Sequence, residues 1–256
     1  MTSVFDFDSP AGHRLSGRLD APEGEARGWA LFAHCFTCGK DNVAAARIAR
    51  RLAAAGVGTL RFDFAGLGTS GGTFGTDGLA SDIADLIAAA AAMEEAGMAP
   101  TLLIGHSLGG AAALAAAASL ATVRAVSTIA APFDAEHVLR HVSTEALEAA
   151  ETNGEAGVLL AGRQFTLSRT FVEDLRRRDQ GEAIAGLARP LLILHAPRDE
   201  TVGIDQAGRI FAAAKHPKSF VSLDRADHLL SDRADADYAA DLIATWARPY
   251  LARPGS

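Results

Sequence analysis

The segment Gly105-His106-Ser107-Leu108-Gly109 follows the apolar run Thr101-Leu102-Leu103-Ile104 and opens an alanine-rich stretch. A serine at a sharp strand-to-helix turn projects its hydroxyl off the edge of a sheet, on backbone dihedrals that ordinary residues avoid. Glycines two residues before and two after it remove side chains that would collide across the turn. The helix that follows points its first amides at any negative charge developing on a carbonyl oxygen beside the serine. This pattern predicts a nucleophile for acyl transfer, with the Leu108 N–H as one donor to the oxyanion.

A hydroxyl is a weak nucleophile until a base takes its proton, so partners are required. Behind a nucleophile of this kind the acid precedes the histidine along the chain. The run Leu191–His195 ends in Ala196-Pro197-Arg198-Asp199-Glu200-Thr201-Val202, and the run Phe220–Leu223 ends in Asp224-Arg225-Ala226-Asp227-His228. His228 is expected to act as base through Nε2. Asp199, past its strand end, is expected to fix the His228 tautomer and stabilise the imidazolium. Glu200, Asp205 and Asp134 compete for the acid's place, whereas Asp227 is expected to cap or pair locally. His34, His106 and His195 sit at strand ends or in the serine turn, too close to the sheet to reach the hydroxyl. Packing and hydrogen bonding are expected of them.

A second oxyanion donor is expected from His34-Cys35-Phe36-Thr37-Cys38-Gly39-Lys40-Asp41, the loop after the run Trp29–His34. Its two cysteines are expected to be reduced and structural. A thioredoxin-like motif would open a helix directly, and zinc would need ligands beyond His34. The stretch Arg61-Phe62-Asp63-Phe64-Ala65-Gly66-Leu67-Gly68-Thr69-Ser70-Gly71-Gly72 lacks the third glycine of a dinucleotide fingerprint and opens no helix at once. It is expected to be a surface loop braced by Asp63 beside the site. Arg176-Arg177-Arg178 reads as a solvated helix end, favourable to the helix dipole.

These residues need elements to hold them. Val4–Asp8 and Arg14–Asp20 alternate in polarity and read as an antiparallel pair at a sheet edge. From there, apolar runs at Trp29–His34, Val57–Phe64, Leu102–Gly105, Val123–Ala130, Leu191–His195 and Phe220–Leu223 alternate with helices at Asn42–Ala55, Asp77–Ala96, Leu108–Leu120, Asp205–Ala214 and Ala236–Tyr250. Continuous apolar strands suit a parallel sheet covered on both faces, and right-handed crossovers wind it into three layers. The interval Phe133 to Leu187 is too long for a bare loop. It is expected to hold a helix at Glu136–Glu151, a hairpin at Val158–Ser168 turning at Gly162, and a further helix opened by a capping box at Thr170-Phe171-Val172-Glu173. The expected organisation is therefore one domain, with a core of residues 1–132 and 188–256 and a small inserted cap of residues 133–187.

With 256 residues, 49% hydrophobic and 21% charged, the chain can bury a sizeable core and is not of disordered composition. A net charge of −7 gives it nothing to recruit nucleic acid or an anionic membrane surface. Two cysteines cannot make a disulfide framework, the acidic start is unlike a signal peptide, and the stretch Leu108–Ala121 is too short to span a bilayer. A cytoplasmic protein is expected, with no nucleic-acid or membrane partner, no cofactor and no metal, and either monomeric or a homodimer.

Taken together, HCFTCGKD, RFDFAGLGTSGG, LLIGHSLGG and FVEDL resemble the α/β-hydrolase fold family along nearly the whole chain. They are similar to a narrower group, hydrolase domains fused to a C-terminal OsmC-like, thiol-dependent peroxidase domain. The first motif carries that narrower likeness; the second domain has no counterpart in these 256 residues. The resemblance implies the three-layer α/β-hydrolase fold, with a mostly parallel sheet. It places Ser107, Asp199 and His228 in the triad positions, with Phe36 and Leu108 in the oxyanion positions. Many members carry His-Gly-aromatic where this chain has His34-Cys35-Phe36, and the aromatic residue's amide enters the hole. Closing a Cys35–Cys38 disulfide would then be expected to rotate the Phe36 amide and spoil the hole.

The expected activity is hydrolysis of carboxylic esters of small to medium acyl groups through an acyl-enzyme, with Phe133, Phe165, Phe171 and Leu175 as candidate pocket residues. A thioesterase or amidase would use the same triad. A catalytically silent binding module, or a partner of an OsmC-like peroxidase, are readings of a different class.

Overall fold

An interrupted N-terminal hairpin forms the antiparallel edge of the main sheet. In the computed structural model, which describes residues 1–160 and 162–251, each of the two expected edge segments breaks in two. The pieces are β1 (Thr2–Val4), β2 (Phe7–Asp8), β3 (Arg14–Leu15) and β4 (Gly17–Asp20). β1 pairs antiparallel with β4 at the sheet edge, and β2 pairs with β3 in a separate ribbon. The break comes where Phe5 N–H donates to Gly17 O at 3.1 Å. A Cβ on Gly17 would lie 2.2 Å from Phe5 O, so this close approach of the two strands requires glycine there.

The βα alternation follows with β5 (Gly28–Ala33), α1 (Val43–Ala54), β6 (Val57–Phe62), α2 (Leu79–Glu95), β7 (Leu102–His106), α3 (Leu108–Ala116) and β8 (Ala125–Ile129). The helical run expected to reach Leu120 leaves α geometry at Ala116 and finishes as a 3-10 turn over Ala117–Ser119. Asn42 caps α1, accepting from the Ala44 and Ala45 N–H groups.

The interval before the next sheet strand holds α4 (Thr144–Asn153), β9 (Glu155–Leu160), β10 (Arg163–Ser168), α5 (Arg169–Arg177) and α6 (Gln180–Ala185). Three expectations are corrected here. The helix expected over Glu136–Glu151 is a 3-10 segment, Ala135–His141, followed by α4, because the Ser143 hydroxyl accepts from Ala146 N–H and starts a new helix. α5 is capped by Ser168, which accepts from Phe171 N–H, and not by Thr170. α6 was not expected; Asp179 caps it, accepting from Glu182 N–H. The hairpin pairs Arg163 with Leu160 through Ser168 with Glu155, and Gly162 at its turn adopts φ 74°. Residue 161 of that turn and residues 252–256 lie outside the described residues.

The chain returns through β11 (Leu191–His195), α7 (Ile204–Ala213), β12 (Lys218–Ser222) and α8 (Arg233–Ala247). The sheet has eight strands in the order β1-β4-β6-β5-β7-β8-β11-β12, parallel from β6 to β12. Strands β7, β8 and β11 are buried along their whole length, as a sheet covered on both faces requires. One apolar cluster, with Leu31, Leu103, Leu86 and Leu114, fills the α2–α3 face and continues into the interval through Leu139, Phe171 and Leu175. A second, with Phe32, Ile104, Leu52 and Ile243, fills the α1–α8 face. Each such Leu, Ile or Phe contributes about 1.5–3 kcal/mol by leaving water. The architecture is three-layered, with helices on both faces of the sheet.

Candidate active site

β6 lies on one side of β5 and β7 on the other, so the strand order reverses between β5 and β7. A crevice forms outside the carboxyl ends of strands at such a switch point. The loop after β5 carries His34–Asp41, and the turn after β7 carries Ser107. Ser107 sits at φ 55°, ψ −126°, outside the usual wells for a side-chain-bearing residue. Its N–H donates to Ile129 O at 2.9 Å, and Gly110 N–H closes the turn on Ser107 O at 2.8 Å. A Cβ on Gly109 would lie 2.3 Å from His34 O, so glycine lets the start of α3 press against the exit of β5.

Residues far apart in sequence converge on this turn. The Ser107 hydroxyl donates to His228 Nε2 at 3.0 Å, and His228 Nδ1–H donates to Asp199 Oδ2 at 2.8 Å. The second Asp199 oxygen accepts from Thr201 and Val202 N–H at 2.9 and 2.8 Å. Burial pushes the Asp199 carboxyl up, but these hydrogen bonds, led by the one from His228, more than offset it and hold the carboxyl below its usual value. The group is thus a carboxylate in a dry setting, which orients a ring and stabilises a positive charge on it. Of the competing acids, Asp134 pairs with Arg209 at 2.6 Å and Asp205 accepts from Gln206. Asp227 accepts from Ser231 N–H at 2.8 Å, a local cap as expected.

The other buried histidines serve the scaffold. His34 donates through Nδ1 to Cys35 O at 2.8 Å, and His195 donates through Nε2 to Val202 O at 2.7 Å. His106 donates through Nε2 to the backbone oxygen of His228 at 2.7 Å. Burial, followed by the nearby His228, pushes His106 down to about 4, so its ring is neutral at pH 7.

The loop after β5 is braced from behind. Asp63 accepts from Lys40 N–H at 2.6 Å, from Lys40 Nζ at 2.6 Å and from Thr69 N–H at 2.9 Å. The Lys40 and Asp63 side chains are 3% and 2% exposed, so the pair is fully enclosed. In front, Cys38 N–H donates to Cys35 O at 3.1 Å, and Thr37 takes φ 60°. Cys35 and Cys38 are joined by a disulfide, which corrects the expectation of two reduced thiols. The turn brings their Cα atoms to 5.3 Å, inside the range a disulfide spans. The Phe36 and Leu108 N–H groups donate to no backbone or side-chain group among the described residues.

A cavity of about 430 Å³ opens beside Ser107, lined by Cys35, Phe36, Thr37, Leu108 and His228 at its floor. Its upper wall comes from Pro132, His137, Val138, His141, Leu159, Leu160, Thr201, Val202 and Leu229. None of the four candidate pocket residues is among them. Phe133 lies under the Arg209 guanidinium at 4.1 Å, and Leu175 is core. Phe165 packs on Phe74 at 4.9 Å, and Phe171 is 5.9 Å from Phe74 and 6.5 Å from Phe36. These aromatics back the Phe36 ring from behind the wall. The residues that do line it carried faint signals: His137 and His141 are four residues apart, the spacing that shares one face of an α-helix, and Leu159 faces outward on a hairpin whose neighbours alternate inward.

The sequence profile described as "Alpha/beta hydrolase family" matches residues 28–241. The chain is similar to the esterase domain of a Rhodothermus marinus protein, with 43% identity over 98% of this chain and 99% of that one, and a TM-score of 0.79. It shares its fold with Est1E from Butyrivibrio proteoclasticus, solved with ferulic acid bound, at 20% identity over 96% and 98% of the two chains and a TM-score of 0.77. A dienelactone hydrolase from Anabaena variabilis also shares the fold, at 19% identity, 98% coverage of both chains and a TM-score of 0.69. No curated protein sequence matches.

Proposed function

From a chain that belongs to the alpha/beta hydrolase family, and is a hydrolase, we propose a serine carboxylic-ester hydrolase that works through an acyl-enzyme. The observation that carries this reading is the unbroken relay from the Ser107 hydroxyl through His228 to Asp199, at 3.0 and 2.8 Å, on the floor of a cavity.

As the Ser107 oxygen attacks the ester carbonyl carbon, its proton passes to His228 Nε2. Asp199 stabilises the resulting imidazolium. The carbonyl oxygen becomes an oxyanion, held by the Phe36 and Leu108 N–H groups, each worth roughly 10²–10³ in rate. His228 then gives its proton to the leaving alcohol. Water repeats the sequence on the acyl-enzyme and frees the acid and Ser107.

The cavity walls are mostly apolar, and none of the residues named above as lining it is Asp, Glu, Lys or Arg. That favours uncharged small to medium esters. Thioesters and amides would engage the same residues, so a panel of matched ester, thioester and amide substrates ranks the three. Covalent labelling by a fluorophosphonate probe, lost in Ser107→Ala, is expected. An unlabelled wild-type chain would mean a binding module that keeps the fold without the chemistry. Kinship with hydrolases fused to OsmC-like domains rests on the motif at 34–41, and co-purification with such a domain under oxidative stress tests it. No helix among the described residues is long and apolar enough to cross a membrane.

A further inference from the structure

Cys35 to Cys38 carry three constraints at once: a backbone hydrogen bond across the turn, a bond between the two sulfurs, and a threonine in left-handed backbone. A β-branched residue disfavours that conformation, and Thr37 lies inside the ring that the disulfide closes. Within the ring lies Phe36, whose N–H is unpaired among the described residues and which lines the cavity with Ser107 and Leu108.

We propose that the Cys35–Cys38 disulfide is a positioning element for the Phe36 N–H, and that a dithiol reductant slows hydrolysis by opening it. The proposal rests on the reading of Phe36 as an oxyanion donor. Its sign is the reverse of the gate expected from sequence: the oxidised loop is the competent one, because there the amide is free to receive the oxyanion.

The exchange balances with a dithiol as the sole reductant. One of its thiolates attacks Cys38 Sγ, on the half-buried residue of the pair; Cys35 is 3% exposed. The Cys35–Cys38 bond breaks, a mixed disulfide forms on Cys38, and Cys35 leaves as a thiolate that takes a proton from water. The second thiolate of the reductant attacks its own sulfur in the mixed disulfide and expels Cys38, which is protonated in turn. Two electrons and two protons pass to the protein, and the reductant ends as a cyclic disulfide. In a reducing compartment such a bond is transient, and in an oxidising one it is permanent.

Once the ring opens, Thr37 can return to negative φ, and the peptide units around Phe36 turn with it. The N–H then spends only part of its time at the oxyanion position. Substrate binding is largely retained, since the apolar wall outside this loop, with Leu108, Val138, Leu159, Leu160 and Val202, is untouched. The loss falls on kcat, the signature of an interaction made in the transition state.

The test is turnover of a short p-nitrophenyl ester by the oxidised protein, by the same sample after dithiothreitol, and after reoxidation, with thiol titration reporting the state. Reduction is expected to lower kcat by about 10-fold or more, toward the roughly 10²–10³ that a lost oxyanion donor costs. KM should move less than about twofold, and reoxidation should restore the rate. Cys35→Ala/Cys38→Ala is expected to run at the low rate with or without dithiothreitol. Thr37→Gly, for which φ 60° is unstrained, should keep most of its rate after reduction. A bond that served stability alone would give no such rescue, and this comparison stands even if the double variant fails to fold. Equal kcat in oxidised and fully titrated reduced wild type overturns the proposal and leaves the esterase reading intact. Absence of Ser107-dependent turnover in both states overturns both.

Discussion

The imidazole of His106 donates to the backbone carbonyl of His228 across 2.7 Å, so the residue before Ser107 holds the loop that carries His228. The two rings lie 5.5 Å apart, packed on each other, with His228 between His106 and the cavity it lines. The serine turn and the final loop are therefore set by one contact, independently of any hydrogen bond from the serine hydroxyl.

Removing that contact should loosen the base. His106→Leu is expected to lower kcat by about 10- to 100-fold, since misplacement by about 1 Å can cost that much, with KM changed far less. His106→Gln keeps a donor and should recover part of the loss. Steady-state kinetics on the two variants measure this, and equal rates for both would show that the hydrogen bond has no positioning role.

Stability should depend on the neutrality of the buried histidines. His106 falls to about 4 from 6.5, by burial and then by His228, and burial also lowers His34 and His195. A group depressed in the folded state confers stability that is full above its unfolded value and is lost as pH falls through its folded one. The melting temperature is therefore expected to drop as pH goes from about 6.5 to about 4. Asp85 works the other way: burial raises it to about 6, so it costs stability as pH rises from about 4 to 6. His106→Gln isolates the histidine contribution, and its melting temperature should fall less steeply than that of wild type over this window.

Ser107→Ala should leave the fold intact, because the turn is held by backbone bonds and glycine contacts. Loss of the nucleophile is expected to lower hydrolysis of short p-nitrophenyl esters by roughly 10⁶-fold. Circular dichroism checks the fold and initial rates check the activity. Undiminished turnover would take Ser107 out of the mechanism.

Lys40→Met would strand the Asp63 carboxylate in a site that is 2% exposed. Breaking one side of a buried pair costs on the order of 3–5 kcal/mol, which urea titration should register as a shift in midpoint. Asp63 also receives the Lys40 and Thr69 N–H groups, so Lys40→Met/Asp63→Leu should remain well short of wild type. Full recovery would mean that those two backbone bonds contribute little to the loop.

Much of the arrangement was legible because it is written locally. A strand, a glycine-flanked serine and a small-residue helix are contiguous, and the order of Asp199 and His228 behind two strand ends follows from parallel-sheet topology. The residues of the upper wall were not legible. Phe133, Phe165, Phe171 and Leu175 have the composition of a pocket, yet Phe74 and Arg209 draw the aromatics away from the cavity and Leu175 packs into the core. Their places depend on which partners the folded interval presents, a choice made by packing between distant segments. The same holds for Lys40 with Asp63 and for the bond between Cys35 and Cys38. Residue types and spacing determined which groups could react; only tertiary structure decided which walls surround them and which loop state holds the amide, because both depend on contacts that local sequence does not encode.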